Sequence, residues 1–148
     1  MPNKESYDEK KYFTPGRKIS LTSLPWGKIG MTICYDLRFP YLYRKLAKKG
    51  ADFISVPSAF TKFTGEMHWH TLLKARAIEN GCYIFAPAQF GKHPGKRHTY
   101  GHTLIVDPWG KIINECKKTN TVIISEIDTR KVNMQRTSIP SLKLEKKI

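Results

Sequence analysis

The sequence predicts an α/β domain with a partly mixed sheet, and three observations predict it. From Lys28 onward, short apolar runs alternate with segments of helical spacing. Glycines close both of the helical segments. After Tyr100 the pattern changes to two apolar runs joined by Asp107-Pro108-Trp109-Gly110, a hairpin-type turn.

Residues 1–27 are polar and turn-rich, with turns expected at Pro15-Gly16 and Pro25-Trp26-Gly27. Ile29 to Ile33 reads as a buried strand. A helix is expected from Pro40 to Lys49, stopped by Gly50, and a second apolar strand from Ala51 to Val56, broken at Pro57. Helical spacing returns from Glu66 to Asn80 and ends at Gly81, and Cys82 to Ala86 is a third strand. Gly91 to Tyr100 reads as a loop rich in Gly, His and Lys. Thr103–Val106 and Lys111–Asn114 form the expected strand pair, Thr121–Ile127 a further strand, and a short helix starts near Asp128 as its N-cap. Beyond Gln135 the chain is basic and weakly patterned, either mobile or packed against a partner subunit. Neither an internal repeat nor a low-complexity linker is present.

At 148 residues, 40% hydrophobic and 11% aromatic, the chain has enough material for one core. No apolar run approaches the ~20 residues of a spanning helix, and the N-terminal Met1 to Ser6 has no apolar stretch of the secretory kind. Cys34, Cys82 and Cys116 are odd in number, far apart and without C-x-x-C spacing. That argues against a disulfide framework or a zinc knuckle, and for a reducing, cytoplasmic compartment. The formal charge of +14 raises nucleic acid or anionic lipid as partners. The lysines and arginines are scattered, however, with no basic helix stripe and no aromatic-interleaved RNA motif. A solvated surface is the expectation, with neither nucleic acid nor membrane as a partner.

The most informative stretch is Gly30 to Pro40. An apolar strand delivers Cys34 to its C-terminal end and polar residues follow at once. In α/β sheets that edge is where ligands bind. A sharp strand-to-helix turn would also expose a nucleophile beside backbone N–H groups able to hold an oxyanion. A thiol there suits acyl transfer. The residues alone leave a second reading open, a small buried hydrophobe. Cys82 and Cys116 have no comparable setting and read as structural.

Gly30-Met31-Thr32-Ile33-Cys34-Tyr35-Asp36-Leu37-Arg38-Phe39-Pro40 resembles the nucleophile motif of the nitrilase, or carbon–nitrogen hydrolase, superfamily. The resemblance continues, in the family's order, through Val56 to Thr61, His68 to Asn80, Cys82-Tyr83 with Ala86 to Gln89, and Tyr100-Gly101-His102 with Val106 to Gly110. Ala88-Gln89, Gly91, His93 and Tyr100-Gly101-His102 are most similar to the amidase branch that includes deaminated glutathione amidases. The resemblance implies hydrolysis of a small carboxylate-bearing amide through a cysteine thioester, with neither metal nor organic cofactor.

On this resemblance Cys34 carries over as nucleophile and the backbone N–H of Tyr35 as oxyanion donor. Asp36 and Arg38 would shape the turn, and Phe60, Thr61, His68 and Trp69 the site. Glu9 stands where many members have an assisting glutamate, with Glu5 as a second candidate and a solvated carboxylate as the other reading. Glu79 is expected to pair with a cation or hold helix ends rather than to react.

The family's general-base glutamate lies far upstream, and its lysine just ahead of where this chain begins; neither Lys4 nor Lys10 stands in that lysine's context. The resemblance therefore implies that residues 1–148 are a partial domain, the C-terminal half of a four-layer α-β-β-α sandwich, with 129–148 as a basic tail. Activity would then require a complementary N-terminal half, and the complete enzyme is expected to be a homo-oligomer. An inactive remnant or interaction module is the alternative.

Overall fold

The computed structural model describes residues 11–94, 97–117 and 120–146. Strands β1 (Ser20–Leu24), β2 (Gly27–Met31), β3 (Phe53–Ser55), β4 (Tyr83–Ala86), β7 (Thr103–Val106) and β8 (Ile112–Cys116) form one sheet in the order β1-β2-β3-β4-β7-β8. The three central strands run parallel, and antiparallel pairs flank them on both sides. This is the mixed sheet the sequence predicts. The parallel strands are joined through helices α1 (Pro40–Lys48) and α2 (Lys62–Asn80), the crossovers that parallel pairing requires.

Local signals explain the boundaries. Gly50 at φ 93° and Gly81 at φ 56° provide the left-handed stops after α1 and α2. Helix α2 starts four residues earlier than its spacing suggests, because Thr61 caps it: its Oγ1 accepts the Thr64 N–H at 3.3 Å. The core lies between these helices and one sheet face, where Tyr43, Leu46, Trp69, Leu73 and Ala77 pack on Ile54, Ile84, Leu104 and Val106.

Four expectations need correction. The segment before Lys28 is not only turns: Ser20–Leu24 pairs antiparallel with Gly27–Met31, a polar edge strand whose alternation is weak because its outer face is solvated. Strand β2 ends at Met31, so Ile33 lies beyond the ladder and is 68% exposed. The expected loop at Gly91–Tyr100 contains a two-stranded ribbon, β5 (Phe90–Lys92) with β6 (His98–Tyr100). Thr121–Ile127 forms no strand. Its alternation is real, with Val122 and Ile124 exposed and Ile123 and Ile127 half-buried, yet it makes no ladder among the described residues. The Asn114 side chain, donating to the Ile124 carbonyl, holds it instead.

The C-terminal segment folds back on the body. Helix α3 (Arg130–Ser138) follows Asp128, whose carboxylate accepts the Arg130 N–H at 3.0 Å. Val132 packs with Phe53 and Tyr83, and Arg136 donates to the carbonyls of Ala51 and Asn80. Helix α4 (Ser141–Leu144) reaches the other helices through Ser141 on the Glu79 carbonyl and through Glu145, which pairs with Arg44 and Lys48.

Candidate active site

The route of the chain past β2 sets up the site. Thr32 bonds the Ser55 carbonyl through both its N–H (3.1 Å) and its hydroxyl (2.8 Å), and its hydroxyl also meets the buried Tyr43 phenol at 2.8 Å. Burial pushes that phenol far above its usual range. The Cys34 N–H then bonds the Pro57 carbonyl at 2.9 Å, so β2 and β3 stay side by side up to the nucleophile candidate. There the backbone turns sharply: Cys34 sits at φ 44°, a left-handed conformation that costs a non-glycine residue of order 1–3 kcal/mol. The sharp strand-to-helix turn expected at Cys34 is present.

A 3₁₀ turn, Cys34–Arg38, follows. Asp36 shapes it reciprocally, its carboxylate accepting the Ile33 N–H at 2.9 Å while its own N–H bonds the Ile33 carbonyl at 2.9 Å. The turn is tied to α2 by Arg76, whose guanidinium donates twice to the Leu37 carbonyl, at 3.1 and 2.8 Å, and once to Glu79 at 3.0 Å. Glu79 thus pairs with a cation, as expected of it.

Arg38 gathers the expected site-shaping residues. Its guanidinium stands over the rings of Tyr35 (5.5 Å) and Phe60 (5.3 Å) and meets His68 Nδ1 at 3.3 Å. Phe60 leans on Trp69 at 4.9 Å between centroids, and the fully buried Trp69 donates its indole N–H to the His102 carbonyl at 2.8 Å. Phe60, His68 and Trp69 therefore connect with the turn that carries Cys34. Thr61 is buried in its capping role, with its hydroxyl on Thr64 at 2.9 Å. Glu5 and Glu9 lie outside the described residues.

Cys34 is half-buried, whereas Cys82 is buried, and burial pushes the Cys82 thiol up to about 11. That matches the structural reading of Cys82.

One cluster went unrecognised in the sequence. His70 Nε2 lies 3.0 Å and His102 Nδ1 2.5 Å from the same oxygen of Glu115. Burial pushes the Glu115 carboxyl up, but hydrogen bonds from the two imidazoles outweigh it and hold the group below the usual carboxylate range. These residues stand 32 and 13 positions apart along the chain, so no local spacing announces them. Only pairing of β7 with β8 brings Glu115 beside His102.

Comparison with known proteins bears on all of this. A family model described as carbon–nitrogen hydrolase matches residues 1–136. Deaminated glutathione amidase of Yersinia enterocolitica is 48% identical over 136 residues, covering 92% of this chain and 48% of that protein. The crystal structure of the NitFhit protein of C. elegans superposes with a TM-score of 0.90 at 42% identity, covering 98% of this chain and 35% of that one. An amidase from Nesterenkonia sp. AN1, whose structure shows Michael addition of acrylamide at the active-site cysteine, superposes with a TM-score of 0.75 at 25% identity, covering 95% of this chain and 55% of that one. The chain spans about half the length of the curated relatives it matches.

Proposed function

Because the chain belongs to the carbon–nitrogen hydrolase family, we propose that it carries the nucleophile of an amidase, with Cys34 attacking a small carboxylate-bearing amide. One observation carries the reading: Cys34 is held in a left-handed turn at the end of a parallel strand, where a 3₁₀ turn begins. The relatives' activity supports the substrate class, and the cysteine adduct of the Nesterenkonia amidase supports a thiol as the reacting group.

The Cys34 thiolate adds to the amide carbonyl and forms a C–S bond, while the Tyr35 N–H donates to the developing oxyanion. Collapse breaks the C–N bond, and the leaving ammonia or amine takes the proton first removed from the thiol. Water, activated by the same base, then hydrolyses the thioester, releasing the carboxylic acid and restoring the thiol. Asp36 holds the turn, and Arg38, Phe60, His68 and Trp69 form the wall beside it, with Thr61 fixing the start of α2. The base and the lysine implied by the family resemblance are assigned to the complementary N-terminal half, with Glu9 as an assisting carboxylate. The complete enzyme is a homo-oligomer acting in a reducing, cytoplasmic setting.

Turnover of short ω-amides tests this. The purified 148-residue chain should show negligible hydrolysis. Co-expression with a complementary N-terminal half should restore it, and Cys34→Ser should abolish it again. Robust turnover by the chain alone would refute the assignment of base and lysine to the other half. A reconstituted protein that stays inactive with Cys34 intact would refute the amidase reading and leave a remnant that keeps only the fold.

A further inference from the structure

Behind the wall that Trp69 and Phe60 form, three side chains from three separate elements converge: His70 on α2, His102 just ahead of β7, and Glu115 on β8. We propose that His70, His102 and Glu115 form a binding site for a divalent transition metal of the zinc type, distinct from the nucleophile turn.

The donor set is the first argument. Two imidazoles and one carboxylate make a borderline nitrogen and oxygen set, which suits Zn²⁺ or Co²⁺ better than the all-oxygen shells of Mg²⁺ and Ca²⁺. Three protein ligands also leave a fourth tetrahedral position for water.

Geometry is the second. The three donor atoms lie within 4.8 Å of one another, with contacts of 3.0 and 2.5 Å to the shared Glu115 oxygen. Metal–ligand bonds of about 2.0–2.2 Å put tetrahedral ligand atoms roughly 3.4 Å apart. Accepting an ion therefore asks the Glu115 oxygen to back away from the two nitrogens by less than about an ångström, while the nitrogens, no more than 4.8 Å apart, close toward the same roughly 3.4 Å spacing by small ring rotations. The side chains of His70, His102 and Glu115 keep 29%, 13% and 20% of their surface exposed, which leaves an ion a way in.

Preorganisation is the third. The His102 ring stacks on Tyr100 at 4.0 Å and 17°, while the residue's backbone N–H donates to the Lys117 carbonyl and its backbone carbonyl accepts from Trp69. The His70 ring meets both Tyr100 (5.9 Å, 84°) and His102 (5.1 Å, 77°) edge-on. Glu115 is fixed by strand pairing opposite Leu104. Little side-chain freedom is left for metal binding to remove. A bound ion would cross-link α2, β7 and β8, and through the His102 carbonyl it would brace Trp69 and the wall next to Cys34.

The alternative is a hydrogen-bonded triad that never binds metal, and the test separates the two. The tag-free chain is titrated with Zn²⁺ by calorimetry and with Co²⁺ by visible absorption. One equivalent should bind, with the intense d–d bands of tetrahedral Co²⁺ and no sulfur-to-cobalt charge-transfer band. His70→Ala and Glu115→Gln should each weaken Zn²⁺ binding by more than the roughly 10–100-fold lost with an outer-shell partner, and Cys34→Ser should bind as before. His70 is half-exposed on a helix, so His70→Asn serves as a second, milder replacement, with circular dichroism confirming that each variant keeps its helices. Absence of saturable binding, a thiolate-to-cobalt band, or unchanged affinity in the His70 and Glu115 variants would overturn the site.

Discussion

The two faces of the six-stranded sheet are built from similar residues and end up in different surroundings. On the helix side, Gly30, Ile54, Ile84, Leu104 and Val106 are all buried beneath α1 and α2. On the reverse side, alternation points Ile29, Met31, Phe53, Phe85 and Ile105 outward. There Phe53 is 2% and Ile105 8% exposed, but Ile29 and Phe85 are only half-buried and Met31 is 47% exposed. The difference is coverage. Val132 of α3 and Ile127 reach Phe53 and Tyr83, and nothing among the described residues extends that cover to Met31. Strand propensity set the alternation on both faces, whereas packing partners decided which face became core.

The largest expected effect breaks the comparison if it fails. Leu104→Ala on the helix side should cost about 2–5 kcal/mol, the transfer term plus the cavity left under α2. Met31→Ala on the reverse side should cost less than about 1 kcal/mol, as expected for a half-exposed side chain. Urea unfolding midpoints of the two variants measure both. Equal losses would mean that the reverse face is as well covered as the other.

A thiol probe sharpens the same contrast. Cys82 lies in the helix-side core, its Sγ beside the Ala51 carbonyl and Arg136, with its pKa pushed up to about 11. At pH 8 such a thiol is thiolate in roughly one molecule in a thousand, and the thiolate is the reactive form. Half-buried Cys34 should therefore react with iodoacetamide at least ~100-fold faster than Cys82. Mass spectrometry of partly alkylated, folded protein reads the ratio. Equal labelling would remove both the exposed turn at Cys34 and the sealed core at Cys82.

What the sequence disclosed follows the same division. The helices and central strands were legible because burial imposes a period: Leu72, Leu73, Arg76 and Ala77 mark α2, while Gly50 and Gly81 mark stops that only a left-handed residue provides. Strand β1 was not legible, since Ser20, Thr22 and Ser23 face solvent and carry no apolar alternation. The β5–β6 ribbon is set by tertiary bonds, such as Tyr100 N–H to the Phe60 carbonyl and the bridge between Thr61 and Thr99. Thr121–Ile127 failed in the opposite sense, because its alternation reports a half-buried extended chain and not a ladder. In the site, Cys34 and Asp36 could be read from one contiguous motif. The His70–Glu115–His102 cluster could not, since it joins a helix residue to a strand residue 45 positions away and needs the pairing of β7 with β8.

The smallest effect concerns the uncovered patch itself. Registers place Met31, Ser55 and Phe85 in one row across β2, β3 and β4, and Ile29, Phe53 and Tyr83 in the next. Phe53 and Tyr83 lie under Val132, but Met31 is exposed and Ile29 and Phe85 are half-buried beside it; apolar surface of this kind binds hydrophobic dyes, so the chain should enhance ANS fluorescence. The dye is an anion and the chain carries +14, so attraction by charge alone would mimic the result. At about 1 M salt the Debye length shrinks to about 3 Å, which suppresses the charge contribution while leaving apolar contact intact. Fluorescence should persist there, and Met31→Gln should lower it while shifting the urea midpoint little, because the side chain it replaces is already half in water. The helix side provides the control: Ile78→Gln alters a similarly exposed residue, 45% against 47%, on the outside of α2, and should leave the signal unchanged. If both variants lower the dye signal equally, or if high salt abolishes it, then the reverse face is not a continuous apolar surface and the contrast between the two faces is one of shape alone.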